Sequence, residues 1–169
     1  MSFQQLATDR YSVRTYKTTP VEQEKIDKIL ELGRIAPTAR NNQPQRIKVI
    51  QTAEELAIVD EFTPCRFGAP LVLLVCYDKT VCAPAPAFGT GGTGQVDASI
   101  VTSHLLFAAE ELGLGTLWVM HFDPEKASEL FGLPENIVPM AVLDVGYPAD
   151  DAKPAPPHSQ REPLAAMLL

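Results

Sequence analysis

The chain has 169 residues, of which 46 % are hydrophobic, and a formal net charge of −7. The acidic balance argues against nucleic acid or an anionic membrane surface as the main partner. No apolar run reaches the roughly 18–20 residues of a membrane-spanning helix, and the start of the chain lacks the basic and apolar regions of a signal peptide. We therefore expect a cytoplasmic protein with a single domain over residues 1–169.

The cysteines and histidines suggest neither a disulfide framework nor a metal site. The three cysteines are an odd number, and no two of them lie at CxxC spacing. The three histidines lie far apart, and none pairs with a cysteine at a ligand-like interval. We predict no metal site. The residues concerned are Cys65, Cys76, Cys82, His104, His121 and His158.

The start of the chain predicts two helices joined by an extended segment. Residues 2–9 are expected to form a short helix, and residues 10–16 to run extended. The sequence Thr-Pro-Val-Glu over residues 19–22 predicts a second helix, with threonine as N-cap and proline in the first turn. This helix is expected to continue to about Ile35, since a proline follows soon after.

The middle of the chain predicts the most buried strand and the most buried helix. The sequence LVLLVCY at 71–77 is nearly all apolar, which is typical of a strand buried on both faces. Residues 78–95 hold prolines and glycines without periodicity, which indicates a functional or mobile loop. The helix over Val96–Leu112 is apolar almost all round, which favours burial in the core or at a subunit interface.

Shorter elements complete the pattern. They are a strand at 46–50, a helix at 52–62, a strand at 116–119, a helix at 123–131 and a strand at 137–145. The helix at 52–62 begins with a capping box over residues 52–55. Because strands alternate with helices, we predict an α/β or α+β domain with one central sheet.

The last segment, residues 147–169, is proline-rich and ends in the apolar sequence LAAMLL. We expect it to run extended over a surface. A single domain does not normally leave such an apolar tip in water. Two arrangements remain open: docking on a partner subunit, or a short helix packed on the same domain.

The sequence RYSVR at 10–14 is a candidate anion site. In an extended segment, the alternate residues Arg10, Ser12 and Arg14 point the same way. Guanidinium groups suit a phosphate because each donates two hydrogen bonds to one oxyanion. A solvated strand would have the same pattern, so these five residues leave both interpretations open.

Three other sequence features do not indicate a catalytic or cofactor-binding site. Residues 89–94 match the pattern GxGxxG, but the expected strand ends at about Tyr77 and no acidic residue follows at the required distance. We reject dinucleotide binding there and expect a lid or hinge. His104 lies on an apolar helix and is interpreted as a satisfied core or interface histidine. The paired acids, such as Glu110 and Glu111, are interpreted as solvated.

Five motifs follow one another along nearly the whole chain. They are RYSVR at 10–14, APTARNNQP at 36–44, LGLGTLWVMHFDP at 112–124, GLP at 132–134 and VGYP at 145–148. Each is weak alone, but the ordered set resembles the nitroreductase family of FMN-dependent oxidoreductases. The resemblance implies an α+β fold with a central mixed or antiparallel sheet flanked by helices. It also implies an intertwined homodimer with FMN at the subunit interface.

The resemblance further implies the reaction. NADH or NADPH would reduce the flavin, and an electron-poor acceptor such as a nitroaromatic or quinone would reoxidise it in a ping-pong cycle through flavin N5. Because the cofactor carries the chemistry, we predict no catalytic side chain. Two alternatives stay open: another flavin reaction such as dehalogenation, and a non-catalytic FMN-binding or storage protein.

The resemblance also implies the residues that bind FMN. Residues 10–14 and an arginine near the end of the chain would contact the phosphate and the ribityl chain. Residues 37–41 of the other subunit and residues 118–121, near N5, would contact the flavin ring. Met120 stands where many members of the family have a smaller residue. These residues are Arg10, Tyr11 (mainly through its backbone), Ser12, Arg14, Pro37, Thr38, Ala39, Asn41, Trp118, Val119, Met120, His121 and Arg161.

Overall fold

The computed structural model describes residues 2–86 and 92–169. Its helices are α1 (Phe3–Asp9), α2 (Gln23–Arg34), α3 (Ala53–Phe62), α4 (Gly94–Glu111) and α5 (Pro124–Leu130). Its strands are β1 (Gln45–Ile50), β2 (Leu71–Asp78), β3 (Gly115–Val119) and β4 (Ile137–Gly146). None of the helices in these two ranges is long and apolar enough to cross a bilayer.

The strands form one antiparallel sheet in the order β1-β2-β4-β3. The fold is therefore α+β, as expected, and the sheet is antiparallel rather than mixed. All eight residues of β2 are buried, which agrees with its continuous apolar sequence. Because β2 pairs with β1 on one side and β4 on the other, it forms the centre of the sheet.

Helices cover both faces of the sheet. On one face, α2 and α4 pack together over a core that includes Ile29, Leu73 and Leu105. Gly33 permits this approach, because a Cβ there would lie 2.5 Å from Leu105 Cδ2. On the other face, α3 and α5 cover a second core that includes Val142. The predicted burial of the apolar helix α4 is confirmed.

The predicted boundaries are confirmed to within two residues everywhere except at the start of α2. The predicted capping by Thr19 and Pro20 is wrong, because α2 begins at Gln23 with Glu22 as its N-cap. The chain stays extended before the helix so that Val21 reaches the core. The Glu22 carboxylate accepts hydrogen bonds from Tyr147 Oη at 2.7 and 2.9 Å instead of capping the helix.

The glycine-rich motif at 89–94 is only partly described, since residues 87–91 lie outside the described residues. Gly94 begins α4, whereas β2 ends at Asp78, and the residues described between them, 79–86 and 92–93, contain no strand. This placement agrees with the rejection of a dinucleotide fingerprint. The lid or hinge expected there stays a prediction.

The segment after β4 runs along the surface and forms two short 3₁₀ turns, at Pro156–Ser159 and Leu164–Met167. The second turn does not pack on its own domain. Its Leu164 and Met167 are 73 % and 77 % exposed. The first turn lies against Tyr11 of the same domain, and docking of the exposed second turn on a partner subunit stays a prediction.

Candidate functional site

The segment Arg10–Tyr16 runs extended beside the edge strand β3. Ser12 forms a parallel bridge with Thr116, and the Val13 N–H donates to the Thr116 carbonyl at 3.0 Å. Tyr16 forms an antiparallel bridge with Pro148. These backbone bonds fix the direction of each side chain between them.

Ser12 and Val13 lie on opposite sides of this segment, as predicted, but Tyr11 lines the same cavity as Ser12, so the alternation does not extend to Tyr11. Val13 points inward and is 1 % exposed, whereas its neighbour Ser12 and the flanking arginines line a surface cavity. Gly115 makes the close approach possible, because a Cβ at that position would overlap the side chain of Val13. A single buried valine and an opposing glycine thus orient the polar side of the segment outward.

The outward side chains share one cavity of about 260 Å³ with a part of the chain that lies far away in sequence. The turn at Pro156–Ser159 and the residue Arg161 form its opposite wall. Tyr11 and His158 meet across it, with ring centroids 6.2 Å apart in an edge-to-face arrangement. The lining residues are Arg10, Tyr11, Ser12, Arg14, Ala155, Pro157, His158 and Arg161.

Three guanidinium groups give this cavity a strong positive charge. Burial lowers the pKa of Arg10, and the nearby charge of Arg161 lowers it further, while Glu110 acts in the opposite direction. Burial raises the pKa of the Glu110 carboxyl, an effect that Arg10 opposes. An anion placed between the arginines relieves their mutual repulsion, so the cavity has the chemistry of a phosphate site.

Sequence reasoning missed two residues that matter for this site: His158, which lines the cavity, and Glu110, which acts on Arg10. The sequence predicts a solvated Glu110, but this residue is half-buried and acts electrostatically on Arg10. His158 has no motif around it and lines the cavity only because the tail turns back toward residue 11. For Glu110, the available signal is its position after the apolar run at residues 105–109 of α4.

The loop at residues 37–43 lies elsewhere and does not line the arginine cavity. Three of its non-glycine residues have left-handed backbones: Arg40 and Asn41 with φ of 55°, and Gln43 with φ of 51°. Such strained backbones are found preferentially at functional sites. The Ala39 N–H donates to Asp97 Oδ1 at 2.8 Å, and the Gln43 N–H donates to Thr38 Oγ1 at 3.0 Å.

The end of β3 forms a second candidate region. Val119 is buried, whereas Met120 is 61 % exposed and accepts a hydrogen bond from Trp118 Nε1 through its sulfur at 3.1 Å. The His121 side chain is exposed, and its carbonyl accepts from Thr63 Oγ1 at 2.7 Å. Met120 lines a cavity of about 280 Å³ with Gln95, Ser99, Phe122, Pro124, Pro139 and Met140.

Of the predicted site residues, one cavity therefore unites Arg10, Tyr11, Ser12, Arg14 and Arg161. The remaining ones form two separate groups, at 37–41 and at 118–121. Neither group lines the arginine cavity of the same chain. That residues 37–41 contact a flavin bound to another subunit stays a prediction.

Comparisons with known proteins give the family. The model of the nitroreductase family matches residues 7–65 and 64–147. A nitroreductase family protein of Clostridium difficile 630 is similar in structure, with a TM-score of 0.92 and 39 % identity, covering 100 % of this chain and 98 % of that one. An FMN reductase [NAD(P)H] of Bacillus subtilis is 33 % identical over 88 % of this chain and 67 % of its own length.

Two further similarities agree with this result. An NADH dehydrogenase of Thermus thermophilus is 30 % identical over 96 % of this chain and 93 % of its own length. A protein of Exiguobacterium sibiricum, solved in complex with FMN, shares the fold with a TM-score of 0.87 at 21 % identity, covering 99 % of this chain and 96 % of that one. The chain belongs to the nitroreductase family of oxidoreductases.

Proposed function

We propose that the protein is a homodimeric, FMN-dependent NAD(P)H oxidoreductase that reduces an electron-poor acceptor such as a nitroaromatic or a quinone. The observation that carries the proposal is the convergence of Arg10, Arg14 and Arg161 on one cavity beside β3. The similar FMN reductase and the similar NADH dehydrogenase support the choice of cofactor and reductant.

The residues of the cavity fit the phosphate end of FMN. A phosphate monoester carries about two negative charges at neutral pH and accepts hydrogen bonds at three oxygens. Arg10, Arg14 and Arg161 supply planar donors from two separate segments, and Ser12 adds a hydroxyl. In the structure, Arg14 and Arg161 donate to nearby backbone carbonyls, contacts that a phosphate would replace or share.

The ring end of the cofactor is assigned to the other two groups. Residues 118–121 of one protomer and Pro37, Thr38, Ala39 and Asn41 of a second copy would contact the isoalloxazine. When bound, FMN supplies the hydride-transfer chemistry between nicotinamide and acceptor. The protein would bind the phosphate, orient the ring and limit access to it, with Met120 at the entrance.

Exposed apolar surface supports the homodimer. Phe3 is 69 % exposed and lines an apolar groove of about 380 Å³ together with Phe107 and His104. His104 Nδ1 lies 2.9 Å from the Ile100 carbonyl, so the histidine is satisfied within its helix. The exposed Leu164 and Met167 of the tail require cover as well. We propose that this tail, residues 147–169, packs on a second copy.

Visible absorption of the purified protein tests the proposal. We expect a two-band flavin spectrum, after incubation with FMN if necessary, that bleaches when NADH or NADPH is added without oxygen and recovers with a quinone. Size-exclusion chromatography should give the mass of a dimer. A protein that stays colourless after incubation with FMN contradicts the proposal.

A second candidate is a non-catalytic FMN-binding or storage protein. The observation that favours it is the exposed Met120 side chain beside Trp118, because a bulky thioether at this position would cover the face that a nicotinamide must reach. This alternative predicts a flavin spectrum that persists with both NADH and NADPH. It also predicts that Met120→Gly restores bleaching.

A further inference from the structure

Asp97, in the first turn of α4, is a buried carboxylate that none of the family motifs includes. Only 2 % of its surface is exposed, and both carboxylate oxygens have partners. Oδ1 accepts from the Ala39 N–H at 2.8 Å, and Oδ2 accepts from Thr93 Oγ1 at 2.7 Å. One side chain thus joins the strained loop at residues 37–43 to the N-terminal end of α4.

The loop depends on such bonds to keep its shape. Arg40 and Asn41 both adopt left-handed backbones, which cost of order 1–3 kcal/mol each for residues other than glycine. Within the loop, the Asn41 N–H donates to the Thr38 carbonyl at 2.9 Å. The hydrogen bond from Ala39 to Asp97 is stronger than this bond between neutral groups, because its acceptor is charged and shielded from water.

A second contact ties the same loop to the segment that follows β2. Asn42 Nδ2 donates to the Val81 carbonyl at 2.8 Å, and the Thr93 N–H donates to the Ala83 carbonyl at 3.0 Å. Through Thr93, Asp97 is bonded to the end of this segment as well. Asp97 is therefore bonded both to the loop, at Ala39, and to Thr93, at the end of the connection between β2 and α4.

We propose that Asp97 is a positioning residue that holds the loop at residues 37–43 in the conformation that contacts the flavin ring. The inference rests on the proposed function for the identity of the ligand. The Ala39 N–H donates to Asp97 and is therefore not free to donate to the ring. Loss of the carboxylate frees the loop to relax from its strained backbone.

Two variants of Asp97 separate the bond from the charge. Asp97→Ala removes both hydrogen bonds. Asp97→Asn keeps an oxygen for the Ala39 N–H, while its amide group donates to Thr93 Oγ1 instead of accepting from it. Thr102→Val is the matched control, because Thr102 is also buried in α4 and its hydroxyl donates to the Ala98 carbonyl at 2.8 Å, within its own helix.

The first measurement needs no flavin. Trypsin cleaves after Arg40, which is exposed within the loop, and the rate of cleavage under native conditions follows the population of the opened loop. We expect Asp97→Ala to speed cleavage at this bond on the order of tenfold. Asp97→Asn should stay within about threefold of the original protein, and Thr102→Val should match it.

The second measurement is the dissociation constant for FMN, obtained by fluorescence titration after removal of the flavin. We expect Asp97→Ala to raise it on the order of tenfold, with Asp97→Asn restoring most of the affinity. If Asp97→Ala does not fold, Thr93→Val tests the same anchor, since it removes the hydroxyl that orients the carboxylate. Its expected effect is about threefold.

The outcomes separate the inference from the function on which it rests. Unchanged cleavage at Arg40 in Asp97→Ala refutes the anchor itself. Faster cleavage with unchanged FMN affinity shows that the anchored loop does not position the cofactor, and this overturns the proposal. A parent protein that binds no FMN refutes the proposed function and the positioning role together, while the cleavage rates still decide whether Asp97 anchors the loop.

Discussion

Asp144 is a buried carboxyl group whose titration should weaken the fold as the pH rises. It lies in β4, opposite Val72 and Leu117 on the neighbouring strands, and is fully inaccessible to solvent. Neither of its oxygens has a hydrogen-bond partner within the described residues. Burial raises its pKa from 3.8 to about 9, and Arg66 offsets only part of this effect.

The sign of the effect follows from proton binding. The folded chain keeps the Asp144 proton up to about pH 9, whereas the unfolded chain releases it above pH 3.8. Between these values the folded state binds more protons, so stability is lost as the pH rises. At about 1.4 kcal/mol per pH unit, the loss at pH 7 is about 4 kcal/mol.

Asp144→Asn removes this dependence, because the amide is neutral in both states. We expect the difference in free energy of unfolding between the variant and the parent protein to grow by about 3 kcal/mol from pH 5 to pH 7, in favour of the variant. Urea unfolding at fixed protein concentration and at several pH values measures the difference. Asp123→Asn, an exposed change at the start of α5, serves as control.

The decisive quantity is how the stability difference between Asp144→Asn and the parent protein changes with pH. A gain that grows with pH supports a protonated Asp144 in the folded protein. A difference that stays constant from pH 5 to pH 7 refutes the reasoning, whatever its size, because it shows that Asp144 binds no extra proton on folding.

Three further predictions concern the site and the fold. Arg14→Ala should weaken FMN binding about tenfold or more, because the phosphate loses a charge-assisted bond of about 1.5–3 kcal/mol. Fluorescence titration checks this, with Lys153→Ala as the control variant, and equal FMN affinities of the two variants contradict the role of Arg14. Gly115→Ala should destabilise the fold by about 1–3 kcal/mol, since its methyl group overlaps Val13; an unchanged urea midpoint contradicts the close approach. Asp123→Ala should cost about 1 kcal/mol by removing the cap on the N–H groups of Glu125 and Lys126, measured in the same way.

Much of the local structure follows from the sequence itself. The apolar run of β2, the cap at Thr52 and the alternation around Val13 each depend on neighbours in the chain, so a local pattern is sufficient. The start of α2 shows the limit of this reasoning. Thr19 and Pro20 have good capping chemistry, but the demand to bury Val21 outweighs it.

Some features of the candidate site likewise follow from the sequence, and others depend on the tertiary structure. The sequence alone determines that Arg10, Ser12 and Arg14 share one side of an extended segment, because a strand has a period of two. Only the tertiary structure decides that His158 lines the same cavity and that Asp97 reaches the Ala39 N–H. These contacts join residues far apart in the chain, and they form because sheet pairing and helix packing bring those segments together, which no local pattern records.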